Sequence, residues 1–192
     1  SPADALRALH DPAPDADATA LSERRSPAHE RLVLEELYLL EAGLAMERGQ
    51  REREPGIVIA AAQGDVLARA SAALPFVLTD AQRRVCGEIA GDLSRAHPMS
   101  RLLQGDVGSG KTAVAFLAAI VCAASGAQTA LMAPTELLAE QHAATLAGLA
   151  ASVEAVQPLR IRLLTASIAK AEQDDVRRAL SAGEVDLVVG TH

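Results

Sequence analysis

Apolar residues recur along this chain with two different periods, and the elements change where the period changes. From Ala28 to Glu54, AHERLVLEELYLLEAGLAMERGQRERE, the positions Val33, Leu37, Leu40 and Leu44 fall at helical spacing among good helix formers, which predicts a long amphipathic helix. Pro55 and Gly56 end it, because proline has no amide hydrogen and disfavours the helical conformation in the residue before it. Ahead of the helix, residues 1–27 hold four prolines and scattered apolar positions and read as a linker or tail. Behind it, GIVIAAAQGDVLARASAALPF fits either a short extended piece with a short helix or an extended arm, so 28–75 is taken as a helical connector.

After Phe76 the pattern becomes regular. Thr79-Asp80-Ala81-Gln82 is a capping box, and Val85, Ile89 and Leu93 then line one face of a helix closing near Ala96. Short apolar runs and helices follow in alternation: RLLQ at 101–104, a helix from Lys111 to about Ser125, TALMA at 129–133, and a helix from Glu136 to about Gly148. IRLLT at 161–165, a helix from Ile168 to about Leu180 and VDLVV at 185–189 complete the series. A helix between each pair of strands predicts an α/β fold with a parallel sheet and helices on both faces. Four strands are fewer than nucleotide-binding sheets of this layout carry, so the chain is expected to be part of a longer one.

Composition narrows the classes. The chain has 192 residues, 49% of them hydrophobic, enough for one sizeable core and a smaller appendage. Aromatics make up 2%, too few for the stacking platforms of single-strand nucleic-acid binders, and the net charge of -7 supplies no general attraction to polyanions. Cys86 and Cys122 stand apart in apolar helical patterns and read as small buried hydrophobes. No run is long and apolar enough for a membrane span, and nothing resembles a secretory leader, so a cytoplasmic location with no membrane partner is expected.

One segment carries chemistry. GDVGSGKT, from Gly105 to Thr112, satisfies G-x-x-x-x-G-K-[ST] between an apolar run and a helix. Gly105, Gly108 and Gly110 let the backbone curl around an anion, the amides of Val107, Ser109 and their neighbours point inward, and the helix start adds its dipole. Lys111 would reach the β and γ phosphates of a nucleoside triphosphate, and Thr112 would offer its hydroxyl to Mg²⁺. Asp106 fits only if its carboxylate points away. The G-x-G-x-x-G order of a dinucleotide fingerprint is absent, which argues against hydride transfer. Gln82, just upstream, has an amide suited to an adenine edge, but the capping box competes for the same amide.

LPFVLTDAQ, MSRLLQGDVGSGKTAVA, MAPTELLAEQHAATL and the stretch from RIRLLTASIAK to VDLVVGTH together resemble the first motor domain of the RecG family of superfamily 2 DNA helicases. The resemblance is dense over 74–192, and the long helix resembles that family's connector. It implies a partial P-loop RecA-like motor domain over 76–192. Transcription-repair coupling factors are the nearest alternative; their loop differs at the positions of Ser109 and Ala113. A non-motor nucleotide switch or kinase is a further alternative, although no N-K-x-D guanine motif is visible.

By resemblance, Phe76, Thr79 and Gln82 match an adenine-recognising motif, and ATP with Mg²⁺ is the implied cofactor. Pro134, Thr135 and Glu136 match the PTE motif, whose threonine and neighbouring amides hold a DNA phosphate. Thr165 and Ser167 fall where the family has T-G-S, with Ala166 in place of glycine, and Gly190, Thr191 and His192 match G-T-H. All three segments follow apolar strands, at the sheet edge where open α/β folds bind ligands. His142, Arg177 and Arg178 read as solvated helix positions. The implied partners are branched double-stranded DNA, such as forks and four-way junctions, and a wedge domain and second motor domain of the same longer chain, acting as a monomer. Hydrolysis also needs an acidic pair after an apolar strand, which is not found here, so this segment alone is expected neither to hydrolyse ATP usefully nor to unwind DNA.

Overall fold

A computed structural model describes residues 1–191, leaving aside the side chain of Gln63. The chain forms two compact units, Ser1–Glu54 and Pro55–His192, divided just past the long helix, which ends at Arg51, ahead of the expected stop at Pro55.

The first unit holds α1 (Pro2–His10), α2 (Ala18–Ser22) and α3 (Pro27–Arg51). The stretch expected as a linker or tail therefore carries two helices. Each has its own start signal: the Ser1 hydroxyl accepts from the Asp4 amide in a capping box, and the Asp17 carboxylate accepts from the amides of Thr19 and Ala20. Helices this short hold too few turns to display an apolar period. α1 packs on α3 and buries Ala5. Val33, Leu37, Leu40 and Leu44 do lie on a helix, yet no residue of α3 is buried. At 1.5 Å per residue α3 is roughly 37 Å long and α1 roughly 14 Å, so one cannot cover the other. Leu37 and Leu40 stay 56% and 59% exposed.

The second unit contains a 3-10 turn (Ala60–Gln63), α4 (Val66–Ala73), α5 (Asp80–Leu93), α6 (Lys111–Ala124), β1 (Thr129–Met132), α7 (Glu136–Val153), β2 (Ile161–Leu164), α8 (Lys170–Ser181) and β3 (Leu187–Gly190). Residues 56–59 run extended beside the end of α5. The Gly56 amide donates to the Ala96 carbonyl at 2.8 Å, and a Cβ on Gly56 would come within 2.6 Å of the His97 carbonyl carbon. Of the two readings left open for 56–76, the extended piece with a short helix is the one adopted.

The sheet is parallel, three-stranded and ordered β1-β3-β2, flanked by helices, so the α/β expectation holds. The fourth predicted strand, 101–104, does not form, and Leu102 is 87% exposed. An apolar run becomes a strand only where a neighbour takes its ladder of hydrogen bonds, and no strand pairs with 101–104, although β1 and β2 each pair on one side only among the described residues. Side chains hold the segment instead: the Arg101 guanidinium donates to Asp92 at 2.7 Å and to Glu88 at 2.6 Å, both on α5. Those carboxylates raise the Arg101 pKa above its usual range, Asp92 contributing most.

α6 is the centre of the core, with Phe116, Leu117 and Ile120 wholly enclosed by Leu146 and Val153 of α7 and Leu187 and Val189 of β3, among others. α7 continues past the expected end at Gly148 because Val153 also packs into this core. Cys86 is buried as expected, whereas Cys122 is only half-buried; both thiols are free, and desolvation pushes both pKa values up, away from the reactive thiolate.

Register positions the functional edge. Met132 of β1 and Leu164 of β2 both pair with Gly190 of β3, so the three strands end level and the segments that follow them leave from one edge. α6 ends at Ala124 and β1 begins at Thr129, so the helix runs back against the strand and its start, with the glycine loop, lies at that same carboxyl edge.

Candidate nucleotide-binding site

The glycine loop is built by backbone conformations that few residues adopt. Gly108 and Gly110 have φ of 80° and 79°, in the left-handed region, and Gly110 is the N-cap of α6. No side chain caps that helix start, in contrast to the Thr79 cap of α5 and the Thr135 cap of α7. The Ala113 amide donates to the Gly110 carbonyl at 3.0 Å, so the amides of Lys111 and Thr112 are the ones offered to a ligand, and the positive end of the helix dipole faces the same way.

Lys111 lies at the first position of this helix, where a cation is unfavourable without an anion opposite. Its ammonium donates to the carbonyls of Gly105 and Asp106, both at 2.7 Å. Asp106 is exposed and contributes its backbone oxygen to Lys111; Val107 is fully exposed, and Ser109 closes the turn with its amide on the Asp106 carbonyl. Thr112 is half-buried beside Lys111 in the first turn. Room is limited at two glycines: a Cβ on Gly105 would meet the Ser109 hydroxyl at 2.8 Å, and one on Gly110 would meet the Gln82 amide nitrogen at 2.3 Å.

Gln82 does more than the capping box required. Its Oε1 accepts from the Thr79 amide at 2.8 Å, the Thr79 hydroxyl accepts from the Gln82 amide in return, and Nε2 donates to the Ser109 carbonyl at 2.9 Å. Both ends of the side-chain amide are engaged within the protein. Beside them Leu74, Pro75, Phe76, Val77, Leu78 and Arg83 line an open, largely apolar cleft of about 520 Å³.

The remaining expected residues sit along the carboxyl edge. The Thr135 hydroxyl caps α7 by accepting from the Leu138 amide at 3.3 Å and keeps its own proton to donate. Pro134 and Thr135 are exposed, and Glu136 is half-buried. Thr165 is buried and shares a 2.9 Å hydrogen bond with the exposed Ser167 hydroxyl. The Ser167 amide donates to the Glu136 carboxylate at 3.1 Å, which joins the loops after β1 and β2. Ala166 is exposed and outside the left-handed region, so its Cβ brings no backbone strain. Gly190 has a packing reason of its own: a Cβ there would fall 2.3 Å from the Leu164 carbonyl oxygen. Thr191 follows it, half-buried, and His192 lies outside the described residues.

A family model described as DEAD/DEAH box helicase matches residues 79–192, the stretch from the Thr79 cap through the glycine loop to the end of β3. The chain belongs to that family. It is 42% identical over 189 residues to the ATP-dependent DNA helicase RecG of Bacillus subtilis (strain 168), covering 98% of this chain and 26% of that protein. The RecG of Pasteurella multocida (strain Pm70) is 43% identical over 191 residues, covering 98% of this chain and 27% of its own. A solved structure of RecG bound to a three-way DNA junction matches with a TM-score of 0.75 at 40% identity, covering 86% of this chain and 22% of that one. The chain thus spans about a quarter of the length of the curated relatives it matches.

Three contacts of this helicase segment had no sequence signal: Gln82 to Ser109, Arg101 to Asp92 and Glu88, and Glu136 to Ser167. Each joins residues well separated along the chain by polar groups that, in sequence, look like ordinary surface positions. Among the described residues no group of three or more His, Cys, Asp or Glu could hold a metal ion, and no helix is long and apolar enough to cross a membrane.

Proposed function

We propose that this chain is the nucleotide-binding part of an ATP-dependent DNA helicase that remodels branched DNA. The observation that carries the reading is the uncapped start of α6, framed by left-handed Gly108 and Gly110 and followed at once by Lys111. The residues present fit a nucleoside triphosphate. The loop and first-turn amides would bind the phosphates, Lys111 would pass its donors from the Gly105 and Asp106 carbonyls to phosphate oxygens, and Thr112 would offer its hydroxyl to Mg²⁺. ATP supplies the phosphoanhydride whose cleavage drives the motor. The cleft lined by Phe76 is the seat for the base, with Thr79 and Gln82 assigned to the same nucleotide and Gln82 exchanging its Ser109 contact for the adenine edge.

The carboxyl edge bearing Pro134, Thr135, Glu136, Thr165, Ser167, Gly190 and Thr191 is the DNA-facing edge, through hydroxyl and amide donors to phosphate oxygens, and His192, next in the sequence, is assigned the same role. Branched DNA is the substrate class because the junction-bound RecG structure is similar over most of this chain. Acidic residues for Mg²⁺ and water, a wedge and a second motor domain would come from the rest of a longer protein acting as a monomer in the cytoplasm, and 1–192 alone would not turn over ATP at a useful rate.

The test is steady-state ATPase activity with a synthetic three-way DNA junction, measured on the full-length protein and its Lys111→Ala variant. The variant is expected to lose at least about 100-fold in turnover, the scale of a removed transition-state charge contact. Normal turnover in that variant would overturn the proposal.

A further inference from the structure

We infer that Glu136 is a positioning residue of the DNA-facing edge: its carboxylate ties the Thr165–Ser167 turn to the start of α7, so that the Thr135 and Ser167 hydroxyls meet a DNA strand at one set separation. This rests on the reading of that edge as the one that meets DNA.

Glu136 is the first residue of α7, next to the Thr135 cap, and its Oε1 accepts the Ser167 amide at 3.1 Å across 31 positions of sequence. The turn it grips is held at two further points. Thr165 and Ser167 share their hydroxyl bond at 2.9 Å, and Gln173 of α8 donates from Nε2 to the Ile168 carbonyl at 3.1 Å. The turn is therefore pinned to both flanking helices rather than free to adapt.

A carboxylate at an edge that takes phosphates repels its ligand unless its charge is answered locally. Here the Ser167 amide and the first-turn amides of α7 answer it. Because the Ser167 amide is spent on Glu136, it is the Ser167 hydroxyl, exposed and already oriented by Thr165, that is left to meet DNA. The competing role for the same contact is a phosphate stand-in, in which Glu136 occupies the Ser167 amide until DNA displaces it. The two roles differ in sign: removing a positioner weakens binding, and removing a stand-in tightens it.

Charge and reach are separable by substitution. Glu136→Gln keeps an oxygen acceptor at the same reach and loses the charge; Glu136→Asp keeps the charge and the favourable helix start but is one methylene too short. Binding of a fluorescein-labelled three-way DNA junction to the full-length protein, followed by anisotropy, is the measurement. Glu136→Gln should bind as tightly as the unaltered protein or tighter, whereas Glu136→Asp and Glu136→Ala should weaken binding by roughly 3–10-fold, the scale of one lost hydrogen bond. Hydrogen exchange at the Ser167 amide should be unchanged in Glu136→Gln and accelerated in the other two. The inference is overturned if Glu136→Asp binds as the unaltered protein does, or if Glu136→Ala binds tighter than Glu136→Gln. Should Glu136→Ala fail to fold, the Gln and Asp pair decides by itself. Thr135→Ala separates this result from the underlying reading: if it leaves junction binding unchanged, the DNA-facing assignment of the edge falls and this inference with it, whereas weakened binding there beside normal Glu136→Asp overturns the inference alone.

Discussion

The side-chain amide of Gln82 donates to the Ser109 carbonyl across 2.9 Å while its oxygen accepts from the Thr79 amide. One residue thus closes the cap of α5 and steadies the loop that precedes α6. Glu in place of Gln keeps the acceptor and removes the donor. Gln82→Glu should therefore leave exchange protection along α5 intact and speed amide exchange over residues 105–110 by roughly 5–10-fold, a hydrogen bond's worth of opening free energy. Equal exchange in the loop would show that the contact does not steady it.

Gly110 meets two constraints, a φ of 79° and a Cβ position 2.3 Å from Gln82 Nε2, whereas Gly126 shares the left-handed φ at 74° with nothing within 4 Å. Gly126→Ala should lower the melting temperature by roughly 2–8 °C through backbone strain alone. Gly110→Ala should lower it further, because Gln82 must also move. Equal shifts in thermal unfolding would mean that Gln82 yields its place without cost.

Arg101 reaches Asp92 and Glu88 from a segment that has no strand partner among the described residues. Arg101→Ala should raise hydrogen exchange over residues 101–104 toward that of an unprotected chain. High salt should do the same to the unaltered protein in part, since the pairs are partly solvated. If exchange there responds to neither, the ion pairs are not what holds the segment.

Asp186 stands at the opposite end of the sheet, where its carboxylate accepts from the Arg160 amide at 2.8 Å and from the Arg160 guanidinium at 2.7 Å. The guanidinium, chiefly, holds its pKa below the usual carboxylate value of 3.8. A group whose pKa is depressed on folding contributes stability above its unfolded value and loses that contribution as pH falls through the folded one. Unfolding followed against pH should show this increment disappearing below about pH 4, and Asp186→Ala should remove it at neutral pH. That variant should melt roughly 2–4 °C lower near pH 7, as for about 1 kcal/mol in a chain of this size, with the gap closing in acid. A gap that persists in acid would assign the loss to something other than the carboxylate's charge.

What the sequence determined by itself is local: the Thr79 and Thr135 caps, the helices that begin there, three of the four apolar runs as strands, and the loop from Gly105 to Thr112. Each is specified by residues within a few positions of one another, through backbone preference, side-chain period or a hydrogen bond to a near neighbour. Tertiary structure alone decided the rest. RLLQ shares an arginine and two leucines with IRLL of β2, but a strand needs a ladder from a distant partner, so 101–104 forms no strand and is tied down by Arg101. The leucines of α3 have the period of a buried face, but burial needs a surface long enough to cover them, and α1 is too short. Gln82 on Ser109 and Glu136 on Ser167 form only because the fold brings the residues together, and neither pairing leaves a mark in the order of the amino acids.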